Sequence, residues 1–147
     1  MVAQRKQRFA PRVLGLVAVL FGILTIVSGG LVLFGGAAVR SAAGAVVPFV
    51  LWFNFAAGFA YVAAGLGLMA HKRWSVWLSV AIATVTVLVF VALGAHVWSG
   101  GAYELRTVGA MALRSIVWIG IAITASRLAK AWNARHARSG DGEFRND

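Results

Sequence analysis

From Val13 to Val39 the chain runs for 27 residues without a charged side chain. A run this apolar and this long leaves few options. In hydrocarbon no water is present to bond backbone N–H and C=O groups, so a spanning segment must be a helix or part of a closed barrel. The run lacks the apolar–polar alternation of a barrel strand, which leaves helix. About 20 residues at 1.5 Å each cross the roughly 30 Å hydrocarbon layer, and the run exceeds that. The basic stretch Arg5, Lys6, Arg8, Arg12 before it and the small residues Ala42 to Ala45 after it resemble a signal peptide and its cleavage site. A signal-peptide core, however, is only about 7–15 residues long. A true span over residues 12–36 is expected.

Three more runs follow the same logic: residues 47–70, closed by His71, Lys72 and Arg73; residues 74–97; and residues 109–127, interrupted by Arg114. The connecting pieces are a basic tail (1–11), a loop (98–108), a basic amphipathic extension of the last helix (128–138) and a polar, glycine-containing tail (139–147) expected to be disordered. In the extension Leu128, Ala131 and Trp132 fall opposite Arg127, Lys130, Arg135 and Arg138, a pattern suited to lying on anionic headgroups. Only 12% of the 147 residues are charged, against about 25% in soluble domains. The fold class expected is all-α, an integral membrane four-helix bundle.

Lys and Arg set the orientation. Eleven of them lie in the two tails and in the Lys72–Arg73 turn; Arg40, Arg106 and Arg114 lie on the other side. Both termini are therefore expected in the cytoplasm, and the protein in a cell inner (plasma) membrane. Trp74, Trp77 and Trp132 then fall at the inner interface, and Trp52, Trp98 and Tyr103 at the outer one, as an aromatic belt requires. The net charge of +10 flanks apolar runs rather than forming a basic domain. It points to anionic headgroups on the cytoplasmic side, not to nucleic acid.

Small residues mark the packing faces. Gly15, Gly22, Gly29 and Gly36 recur every seven residues in the first span, the period of a left-handed helix crossing. Asn54, Gly58, Tyr61 and Gly65 form a matching stripe on the second. Small side chains let helices approach and gain dispersion energy that lipid alone does not give. Four short helices enclose little volume, so other membrane subunits or further copies of the chain are expected partners.

Arg114 is the most informative polar residue, because a guanidinium near the middle of a span costs about 2.5–3.5 kcal/mol on insertion scales. It either snorkels to the outer interface or faces other helices and finds a partner. The loop before it is the least generic segment of the chain. Asn54, His96, Tyr103, Glu104, Arg106 and Arg114 are the candidate residues of an outer-leaflet site for an anion, lipid headgroup, quinone or partner protein. The competing expectation is a salt-bridged cap holding the loop over the helices. No metal site is expected, since His96 and Glu104 are too few ligands. Intramembrane haem is not expected either, because His71 and His96 lie at opposite ends of the membrane, while His136 lies among cytoplasmic basic residues. The absence of cysteine removes thiolate and disulfide chemistry. Neither catalytic residues nor cofactors emerge from known motifs, so an enzyme is not expected. Ser28, Ser79, Thr84 and Thr86 lie inside spans and should bond back to the carbonyl one turn earlier.

The spans hold almost none of the ionisable groups that pumps and coupled transporters need, while their packing faces are rich. The sequence therefore favours an accessory, assembly or scaffold subunit of a larger membrane complex. The alternative is a small oligomeric channel or carrier, or a lipid- or quinone-binding protein, using the outer-leaflet site. Asn54, Tyr61 and Arg114 on one continuous cavity favour that alternative; the same residues dry and paired favour the scaffold.

Overall fold

The computed structural model describes the backbone of residues 2–143 and the side chains of residues 10–130. It is all-helical over the described residues: α1 (Val2–Phe34), α2 (Ala37–Ala43), α3 (Pro48–Met69), α4 (Arg73–Trp98) and α5 (Leu105–Glu143). Four stretches are long and apolar enough to cross a membrane: Ala10–Phe34, Pro48–Met69, Arg73–Trp98 and Leu105–Lys130. The protein is thus a multi-pass membrane protein by length and composition.

Several boundaries differ from the sequence expectation. The basic segment 1–11 is helical from Val2 and continuous with α1, with Pro11 inside the helix, while the apolar span begins at Ala10. The connection after α1 holds the short helix α2, which no periodicity announced. The backbone stays helical to Glu143, so residues 139–143, expected to be disordered, continue α5. Extending a helix already formed adds one hydrogen bond per residue and avoids a new nucleus, so weak helix formers can be carried along. Residues 144–147, and the side chains of Trp132, Arg135 and His136, lie outside what is described.

Each span meets its neighbour antiparallel. Gly15 faces Gly65 and Met69, and Gly22 faces Gly58 and Val62, so α1 runs against α3. Gly67 meets Trp74 and Ser75 across the α3–α4 turn, and Phe49 meets His96 near its far end. Packing then proceeds from α4 to α5, whereas α1 and α5 share little backbone contact. One end of the helices, here the tail side, holds Ala10, the α3–α4 turn and Lys130. The other, the loop side, holds α2 and the α4–α5 loop.

The glycines act through close approach. A Cβ on Gly22 would lie 2.8 Å from the Gly58 carbonyl oxygen, and one on Gly65 would lie 2.6 Å from that of Gly15. Neither gap admits a methyl group. At Gly29 the nearest atom is Phe55 Cβ at 3.3 Å, so the contact is looser there. Gly36, expected in the same stripe, lies outside it. The helix stops at Phe34, and Gly36 is the exposed N-cap of α2, with nothing within 4 Å of a Cβ placed there.

Two aliphatic–aromatic clusters fill the interior. The larger centres on Ala18, Tyr61, Ala64, Trp118 and Ile121, with Phe21 against it; the smaller holds Val47, Val50, Leu93 and Met111 near the loop side. Tyr61 and Trp118 are fully buried, their rings 4.6 Å apart and tilted by 40°, and Phe21 stacks on Tyr61 at 6.0 Å.

Candidate functional site

The loop-side residues are held by backbone groups. Glu104 stands just before α5. Its Oε1 accepts a hydrogen bond from Ala45 N–H at 3.1 Å, while its carbonyl accepts from the amides of Thr107 and Val108. These last two bonds start α5 at Leu105, four residues earlier than the apolar run indicates. Arg106 donates from Nη2 to the Ala42 carbonyl at 3.1 Å. Together the two side chains tie the α4–α5 loop to the α2–α3 connection. The expected salt-bridged cap is replaced by carboxylate-to-amide and guanidinium-to-carbonyl bonds, which satisfy loop backbone groups that no helix can serve.

His96 Nε2 lies 3.2 Å from the Ala102 carbonyl, and its ring meets Phe49 edge-on at 6.2 Å. Tyr103 is exposed at the loop surface. Gly101 N–H bonds to the His96 carbonyl and Gly100 N–H to that of Val97, with Gly100 at φ +81°, so the loop opens with a Schellman turn.

Beneath this cap lies a cavity of about 320 Å³, within the usual range of about 300–1,000 Å³ for small-ligand sites. Thr25, Ser28, Gly29 and Val32 of α1 form one wall, and Arg106, Thr107, Ala110 and Arg114 of α5 the opposite one. Val50, Leu51 and Asn54 of α3 form the back, and Ala43, Val46 and Val47 close the loop side. Of the six candidate residues, Asn54, Arg106 and Arg114 thus share one space. Arg106 also belongs to the cap, together with Glu104 and His96; Tyr103 belongs to neither group.

The interior beyond the cavity is filled. One helical turn beyond Arg114 stands Trp118, one turn before Thr25 stands Phe21, and two turns beyond Asn54 stands Tyr61. These three rings pack together beyond its tail-side end, a floor that does not itself line the space. Tyr61 is therefore dry, while Asn54 and Arg114 open on the space above it.

The electrostatics of the cavity are one-sided. Arg106 and Arg114 are eight residues apart, about 12 Å along the helix axis. Glu104 is the sole carboxylate among residues 10–130; its bound Oε1 is committed to Ala45, and it stands ten residues from Arg114, about 15 Å along the axis. The cavity wall itself contains no acid. Arg114 faces this space, yet its Nε is buried without a hydrogen-bond partner, as is Asn54 Oδ1. Deeper in the interior, Tyr61 Oη, Thr86 Oγ1 and Trp118 Nε1 are also unbonded. Ser28, Ser79 and Thr84 do bond back to their own helices. Thr86, expected to do the same, does not: its Oγ1 is buried without a hydrogen-bond partner.

Sequence reasoning did not single out Thr25 or Thr107. Thr25 was within reach of it: it stands three residues after Gly22 and four before Gly29, on the same face of α1, and is 3% exposed. Among the described residues no group of three His, Cys, Asp or Glu side chains converges as a metal site.

Comparison with protein-family models, curated proteins and solved structures finds no match for this chain.

Proposed function

We propose that this chain is a small multi-pass inner-membrane protein, with both ends in the cytoplasm, that binds a negatively charged ligand in the outer half of the membrane. One observation carries the reading: two guanidinium groups and no carboxylate line a single cavity. A cation held away from water without a counter-charge costs several kcal/mol, so a site of this kind gains from an anion supplied from outside. The aromatic floor of Phe21, Tyr61 and Trp118 favours binding over passage through the protein. The surplus of Lys and Arg on the tail side supports the orientation.

The test is ligand-dependent stability of the purified protein in uncharged micelles. At least one of sulfate, phosphate and anionic lipid should raise its melting temperature, and Arg114→Gln should abolish that response. A wild-type protein indifferent to every anion overturns the reading. Reporter tags at residues 1 and 147 test the orientation; opposite sides for the two would contradict it.

A second reading, an accessory, assembly or scaffold subunit of a larger membrane complex, draws on a different surface. Phe34, Trp52, Phe55 and Phe59 make an edge-to-face ladder across α1 and α3, with centroid separations of 5.4–6.5 Å. Phe34, Trp52 and Phe59 are more than half exposed. Rings ordered on a lipid-facing surface suit contact with a partner helix. Purification in mild detergent should then recover other membrane chains, and their loss on Trp52→Ala with Phe59→Ala would assign the contact to the ladder.

A further inference from the structure

We infer that the ligand of this cavity is an anionic phospholipid, its phosphate and headgroup lying along the wall that carries Arg106 and Arg114 and its acyl chains left in the bilayer. The inference rests on the anion-binding reading and adds to it the class of ligand and the route by which it arrives.

The route follows from which sides of the cavity are closed. Loop-side access is covered by the 43–47 segment, tied down through Glu104 to Ala45 and Arg106 to Ala42. Passage from the tail side is blocked by the aromatic floor. The α1–α3 contact behind it is sealed by Gly22 against Gly58 and Gly29 against Phe55. The α3 and α5 backbones also share little contact, but Val47 and Val50 pack with Met111 there; the remaining boundary is the seam between α1 and α5. In a multi-pass protein that seam faces lipid, so the cavity is reached sideways, from within the bilayer. A free inorganic anion would have to cross hydrocarbon to use it. An amphiphile already lies there.

The chemistry of the wall points the same way. Arg106, exposed at the mouth, and Arg114, deeper in the wall, are spread over about 12 Å of helix axis. A phosphodiester with its headgroup can engage both positions, the phosphate at one guanidinium and the headgroup at the other. Val32, Val46, Val50 and Leu51 give the cavity an apolar surface that a hydrated ion does not match but the glycerol and upper chain carbons of a lipid do. Asn54 and Thr25 add neutral polar groups for headgroup hydroxyls, which phosphatidylglycerol carries. A choline headgroup would instead bring a cation toward two arginines. The volume accommodates a headgroup and its glycerol, not a whole lipid, which agrees with chains that remain outside the seam.

The experiment uses the full chain in uncharged maltoside micelles with four probes: phosphatidylglycerol, phosphatidylcholine, glycerol phosphate and inorganic phosphate. Native mass spectrometry reads retained lipid, and thermal unfolding reads affinity. Phosphatidylglycerol should be retained and should stabilise the wild type, and the other three should not. Arg114→Gln should weaken phosphatidylglycerol binding by at least about tenfold, the loss of one charge-assisted contact. Ala110→Phe fills the cavity while keeping both arginines, and should weaken binding similarly if the first variant does not fold. Arg40→Gln, exposed and outside the cavity, should bind as wild type does. Inorganic phosphate or glycerol phosphate binding as well as the lipid, with the same dependence on Arg114, overturns the lipid assignment and leaves an anion site standing. Equal retention of phosphatidylcholine also overturns the lipid assignment. Undiminished phosphatidylglycerol binding in both cavity variants overturns the site itself.

Discussion

The tail-side and loop-side halves of the molecule are built from the same four spanning helices yet end up opposite in character. On the tail side glycine meets glycine, at Gly15–Gly65 and Gly22–Gly58, and α1 and α3 touch through their backbones. Phe21, Tyr61 and Trp118 fill the remaining space. On the loop side the stripe on α3 changes to Leu51, Asn54 and Phe55, while α5 presents Arg106, Ala110 and Arg114. There the helices enclose a cavity of about 320 Å³ with unpaired polar atoms on its wall. The lesson concerns side-chain volume and polarity at equivalent helical positions. Small residues close a helix pair, and larger polar ones hold it open. Close backbone packing is concentrated in one half and unbonded polar groups on a cavity wall in the other.

This contrast can be broken, and its largest test is at the floor. Trp118→Ala should lower stability by about 3 kcal/mol, the low end for removing a buried tryptophan, because the unbonded indole N–H is removed as well. Unfolding by heat or denaturing detergent would read it; a change under 1 kcal/mol, roughly the scale of an ordinary substitution, would mean that the ring does not hold the two sides together.

Next in size is a matched pair of insertions. Gly22→Leu forces α1 from α3 and should cost about 2 kcal/mol, as overpacking does. Ala110→Leu adds similar bulk where the cavity leaves room and should stay within about 0.5 kcal/mol, as substitutions away from close-packed contacts do. Equal costs at the two sites would erase the distinction between the halves.

The smallest effect belongs to the turns. The α3–α4 turn closes with Lys72 N–H on the Gly67 carbonyl and His71 N–H on that of Leu68, the same Schellman geometry seen at Gly100. Here, however, the left-handed position holds His71, at φ +54°. His71→Gly relieves steric strain and loosens the unfolded chain, and should stabilise by about 0.5 kcal/mol. A destabilisation would assign the His71 ring, whose Nδ1 lies 3.0 Å from the Met69 carbonyl, a larger part in the turn.

Much of this was legible in the sequence for identifiable reasons. Charge-free runs set the four spans, and the glycine period located the α1–α3 contact as far as Gly29. The period misled at Gly36, since nothing in a spacing reports that the helix has already stopped at Phe34. At the site, Asn54 and Arg114 stood out as polar groups in apolar surroundings. Their separation from Tyr61 did not, although all three share a helical face or a neighbouring one, because a buried hydroxyl and a cavity-lining amide look alike in a hydropathy pattern. Glu104 was the one carboxylate in reach of Arg114 on paper, yet in the fold it serves a loop amide, Ala45 N–H, that has no helical partner.

The amino-acid order alone therefore determined that this chain is helical and crosses a membrane. That follows from local chemistry, since peptide groups in lipid must bond within their own helix, and each segment settles the matter by itself. Which polar groups share a cavity and which are buried away from it were decided only by tertiary structure. Those properties belong to no single helix: they depend on the distance between α1 and α5 and on the three rings that meet beneath it.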